Sequence, residues 1–107
     1  MLSPDDIEGH LDALQRIGDR AAEARADYEF SSDMLRTVYA AEYLKSELPR
    51  AADKEAEALA SEAYRKALED RRNAFVVAEK LRHERAWRER VIDAWQTMSA
   101  NARGRIL

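Results

Sequence analysis

Proline occurs at two positions, Pro4 and Pro49, and the second divides two long stretches whose apolar residues recur every three or four positions. Proline offers no amide hydrogen and pushes its predecessor out of helical geometry, so a helix cannot run through Leu48-Pro49. The first stretch carries Ile7, Leu11, Leu14, Ile17, Ala21, Ala24, Tyr28, Leu35, Val38 and Ala41. The second carries Ala56, Ala60, Ala67, Ala74, Ala78, Leu81, Arg85, Arg88, Ile92 and Trp95. Steps of three and four trace one face of a helix; a half-buried strand would alternate. The reading is all-α: a long, coiled-coil-like antiparallel two-helix hairpin, one helical domain over residues 1–107. Helix one is expected at about 4–47, the turn at about 48–53 and helix two at about 54–102.

Local signals refine these limits. Ser3 before Pro4, Asp5 and Asp6 is a helix start: serine caps, proline suits the first helical position, and carboxylates complement the positive end of the dipole. Asp53 is the expected cap of helix two, and Gly104 its expected end. Gly9 and Gly18 each cost ~1 kcal/mol relative to alanine inside a helix. Ser31-Ser32-Asp33 could cap a fresh helix and give a three-helix alternative, but the apolar phase crosses from Tyr28 to Leu35 without slipping. A turn centred near residue 51 sets Tyr28 opposite Ala74 and Phe75, Leu35 near Ala67, and Ile7 near Trp95. It also sets the small residues Gly18, Ala21, Ala22 and Ala24 opposite Ala78, Leu81 and Arg85.

Two helices cover little of each other. A second apolar set, Phe30, Leu44, Leu68, Val76 and Trp87, lies beside the stripes, where one neighbouring helix cannot reach it. A homodimer forming a four-helix bundle would cover it. The interface candidates are Tyr28, Leu35, Tyr39, Phe75, Leu81, Trp87 and Trp95. Trp95 reads rather as core at the open end, with Met98, Ile7 and Leu11, whereas Trp87 fits either reading equally.

Several classes of chemistry find no foothold. There is no cysteine, hence no disulfide or thiolate site, which fits a reducing cytoplasm. No apolar run is long enough for a bilayer. The start, Met1-Leu2-Ser3-Pro4-Asp5-Asp6, is acidic where a signal peptide would be basic and apolar. A cytoplasmic chain is expected. The three glycines are separate, so there is no phosphate-cradling loop. Glu79 and His83 share a helical face, but a di-metal bundle needs a repeated Glu-x-x-His set that never occurs. No catalytic residue, metal or cofactor is expected, and the chain reads as a non-enzyme.

Charge offers a rival. Residues 1–50 hold six basic and eleven acidic side chains, whereas residues 65–90 hold nine basic and five acidic. Arg65, Lys66, Arg71, Arg72, Arg82 and Arg85, with Trp87 nearby, could follow a phosphate backbone and stack on bases. Interleaved glutamates argue for intrahelical pairs instead, as in Glu84 with Arg88 and Arg85 with Glu89. The sequence pI of about 5.4 points the same way. Arg85 and Arg88 fall on the apolar stripe; if buried they need carboxylates, and Asp12 and Asp19 on helix one stand at a suitable height. The acidic first helix also allows a third reading, an inhibitor that mimics charge on a host protein.

The Tyr-centred Ala/Glu/Arg segment Ala21–Tyr43, the turn into Lys54-Glu55-Ala56, and the ending Trp95-x-x-Met98-Ser99-Ala100-Asn101-Ala102-Arg103 resemble a set of small helical proteins of tailed phages and prophages. The resemblance covers nearly the whole chain. It implies a helical accessory factor of undefined activity and brings no catalytic residues with it. The expected function is that of a structural or adaptor protein acting through a dimeric helical surface. The partner would be a second copy or another protein, with nucleic acid less favoured and no membrane.

Overall fold

The structure, a computed structural model, describes residues 2–106, with side chains through residue 104. Among these residues the fold is all-α without a strand: α1 is Pro4–Lys45, α2 is Ala51–Ala60 and α3 is Glu62–Ile106. Alanine, leucine, glutamate and arginine fill these elements, residues that lose little side-chain freedom in a helix.

α1 begins with a reciprocal cap. The Asp6 amide donates to Ser3 Oγ at 3.2 Å, and the Ser3 amide donates to Asp6 Oδ2 at 2.8 Å. This is a capping box in which aspartate takes the usual glutamate position. The helix then passes unbroken through Ser31-Ser32-Asp33. The Ser31 hydroxyl donates to the Asp27 carbonyl at 2.6 Å, and Ser32 donates to Tyr28 at 3.1 Å. Hydroxyls that bond one turn back no longer compete for the amides a cap would take.

The expected second helix is corrected in three places. It starts earlier, at Ala51, after Arg50 in extended geometry with no side-chain cap. Asp53 therefore lies in the first turn, where its charge complements the dipole without capping. The helix is interrupted at Ser61, whose backbone is extended at φ −68°, ψ 149°. There the Ser61 hydroxyl donates to the Ala58 carbonyl at 2.7 Å and accepts the Tyr64 amide at 3.1 Å. One side chain thus ends α2 and caps α3. Finally, α3 continues past Gly104 to Ile106 because no glycine adopts positive φ, the geometry that terminates helices.

Tertiary contacts form two compact units. One joins α1 up to Ala22 with α3 from Glu79 onward; the other is Glu23–Ala78. The first buries Ile7, Ala13, Ile17, Leu81 and Ile92. In it His10 of α1 meets α3, its ring 5.5 Å from that of Trp87.

In the second unit α1 and α3 run antiparallel in strict register. Tyr28 meets Phe75, Ser32 meets Arg71, Tyr39 meets Tyr64, and beyond the helix end Ser46 meets Glu57 on α2. Each advance of four or seven residues along the first strand of chain is matched by an equal retreat along the second. That spacing keeps one seam facing one seam. The expected approach of Tyr28 to Phe75 is present. The turn is held by Ser46, which is 6% exposed: its hydroxyl donates to Glu57 Oε2 at 2.7 Å, and its carbonyl accepts from Lys54 Nζ at 2.8 Å.

Candidate interaction surface

The buried apolar residues of the Glu23–Ala78 unit are Ala24, Ala58 and Ala67. Alanines let two backbones approach closely, but they hide little apolar area and leave the large side chains to the flanks of the seam. There Phe30 is 66% exposed, Phe75 46%, Leu68 42% and Met34 38%. On α3 this follows from the sequence: alanine occupies the central stripe, and Leu68 and Phe75 each sit one position after an alanine of it.

The two flanks differ in chemistry. The first is aromatic and cationic. Tyr28 packs on Phe75, with Leu68, Arg71 and Arg72 beside them in one open groove. Arg71 lies over the Tyr28 ring at 5.7 Å, while its Nε donates to Ser32 Oγ at 3.2 Å. Nearer the turn Tyr39 contacts both Tyr43 and Tyr64, and Lys54 stands over the Tyr43 ring. Burial, then the nearby Glu55 carboxylate, push the Tyr39 phenol above its ordinary range. The second flank is a groove between Phe30, Met34 and Val38 of α1 and Ala63 and Ala67 of α3, edged by Lys66 and Asp70.

The interface candidates separate on these grounds. Tyr28, Leu35 and Tyr39 are half-buried in the seam, and Phe75 is exposed on the aromatic flank. In the other unit Trp87 is 55% exposed, Trp95 is half-buried, and Leu81 is 6% exposed. Leu81 thus belongs to its own unit's core, because its position on α3 falls on the buried stripe with Ile92. Phe30, absent from the sequence-derived candidates, is more open than any of them, and Met34, also absent, is more open than the half-buried Tyr28, Leu35 and Tyr39. Their signal was the second apolar row to which Phe30 already belonged.

Four of the nine basic residues of the segment are paired with a carboxylate. Arg65 pairs with Glu62, Arg82 with Glu79 at 2.7 Å, Arg85 with Glu89 and Arg88 with Glu84. The Arg82 guanidinium holds the Glu79 carboxyl below the usual carboxylate range. Arg71 is engaged by Ser32 and Tyr28, whereas Lys66 and Arg72 are exposed. The expected partners Asp12 and Asp19 are not used. Arg85 and Arg88 find carboxylates one turn away on their own helix, and Arg88 also reaches His10 Nδ1 at 2.9 Å. An intrahelical carboxylate lies within reach without any demand on packing between helices.

Among the described residues no group of three or more acidic or histidine side chains is placed to hold a metal ion. No helix among them is long and apolar enough to cross a membrane. No protein-family model matches the sequence, and comparison with curated proteins and with solved structures finds no match to it.

Proposed function

We propose that this chain is a non-enzymatic structural or adaptor protein that acts through a dimeric helical surface, two copies forming a four-helix bundle. One observation carries the reading: the Glu23–Ala78 unit buries alanines and leaves Phe30, Phe75, Leu68 and Met34 facing outward. Fully burying a phenylalanine, leucine or methionine side chain contributes about 1.5–3 kcal/mol, so covering the exposed part of those on one flank favours association. The pairing of Arg65, Arg82, Arg85 and Arg88 within α3 favours this reading over a phosphate-binding one, since a guanidinium already held by a carboxylate gains less from phosphate. The resemblance of the Trp95–Arg103 segment suggests a cytoplasmic phage or prophage accessory factor as the setting. Light scattering on the whole chain at micromolar concentration tests the proposal. Twice the chain mass of 12.3 kDa is expected, and a stable single-chain mass overturns it.

A further inference from the structure

The dimeric reading leaves open which flank the second copy covers. We infer that it is the Phe30 groove, joined by a two-fold axis that meets the groove side of α3 midway between Lys66 and Asp70, at the height of Leu68. The inference rests on the dimer proposed above and adds its face, its symmetry and its register.

In a two-fold contact the same patch serves both copies, so position i of one meets j of the other and j meets i. A usable patch must therefore complement itself. On the Phe30 groove Lys66 and Asp70 stand one turn apart on α3, both exposed, and among the described residues neither has an ion-pair partner in its own chain. An axis at the height of Leu68, perpendicular to α3, makes the two α3 helices antiparallel and exchanges positions 66 and 70. Lys66 of each copy then faces Asp70 of the other, and both charges are matched.

Shape agrees with charge. The register of Tyr28 with Phe75 and Ser32 with Arg71 puts Phe30 level with Asn73. Asn73 lies as many residues beyond Leu68 as Ala63 lies before it. The same axis therefore brings the protruding Phe30 ring to the height of the small Ala63 of the second copy. A large side chain over an alanine gap is how facing helical layers interlock.

The aromatic flank fails the same test. Its charges, Arg71 and Arg72, are both positive, so a two-fold contact there sets guanidinium against guanidinium. Tyr28 and Phe75 are also already packed on each other.

Charge reversal tests the inference, because both positions are exposed and tolerate substitution without loss of fold, as helical circular dichroism would verify. Lys66→Asp places two pairs of carboxylates across the axis, and Asp70→Lys two pairs of cations. Each variant should raise the dimer dissociation constant about tenfold or more. Mixing the two variants should restore dimers as heterodimers, since Asp at 66 of one then meets Lys at 70 of the other. If wild type dimerises while neither reversal weakens it, or mixing restores nothing, the assigned face and axis are wrong and the dimer proposal survives. If wild type is monomeric, both fall.

Discussion

Tyr28 on α1 packs its ring against Phe75 on α3 with centroids 5.4 Å apart and planes inclined at 54°. The contact is the first of four that keep one register through the Glu23–Ala78 unit, so it reports on whether the helix pair is seated as described. A double-mutant cycle with Tyr28→Ala and Phe75→Ala should show a coupling of about 0.5–1.5 kcal/mol in chemical denaturation. Strict additivity would mean that the rings do not meet in solution.

Ser46 is the buried polar residue of the turn, and it bonds Glu57 as donor while accepting the Leu48 amide at 3.3 Å. Ser46→Ala removes both bonds, one of them to a charged carboxylate. A loss of about 1–3 kcal/mol is expected by thermal or urea unfolding. Ser46→Thr, which keeps the hydroxyl, should recover part of it.

Gly9 and Gly18 lie inside α1, and a Cβ added at either would meet nothing within 4 Å. Neither glycine is required by backbone geometry, since none has positive φ. Gly18→Ala should therefore raise stability by up to about 1 kcal/mol, through helix propensity and a less mobile unfolded chain. A lower melting temperature for this variant would show that the position is crowded in solution.

The Asp6 carboxyl is held below its ordinary range, first by the Ser3 amide and then by the Ser3 hydroxyl. A carboxylate with a depressed folded-state pKa contributes stability in full above its unfolded value and loses it as pH falls through the folded value. The first turn of α1 should therefore loosen on acidification below about pH 4, the unfolded aspartate value. Amide exchange at Asp6 and Ile7 would follow the change. Asp6→Asn should abolish its pH dependence, and Ser3→Ala should return the Asp6 titration towards the ordinary range.

The register of the Tyr28–Phe75 pair was legible because a proline-marked turn and two unbroken apolar stripes determine which residues face one another. The break at Ser61 was not. Ser31-Ser32-Asp33 offers a cap of the same type, and local sequence does not distinguish a serine that bonds backward in a continuous helix from one that caps a new one. At Ser61 the distinction lies in the surroundings, close to the turn that Ser46, Glu57 and Lys54 hold together. The intrahelical pairs of Arg85 with Glu89 and Arg88 with Glu84 were legible from their spacing, whereas Asp12 and Asp19, the partners expected for buried arginines, are not used. Height along an opposing helix is a weaker constraint than a carboxylate four residues away on the same one. The second apolar row containing Phe30 was readable at once, but which side chains it left open depended on how small the alanine seam turned out to be.

The measurement closest to the central claim is sedimentation equilibrium of the intact chain and of Phe30→Glu, each over a range of micromolar concentrations. The wild type should sediment at twice 12.3 kDa, and Phe30→Glu, with a charge in the groove that a second copy would cover, at the single-chain mass. A wild-type chain that stays at 12.3 kDa throughout would contradict the account.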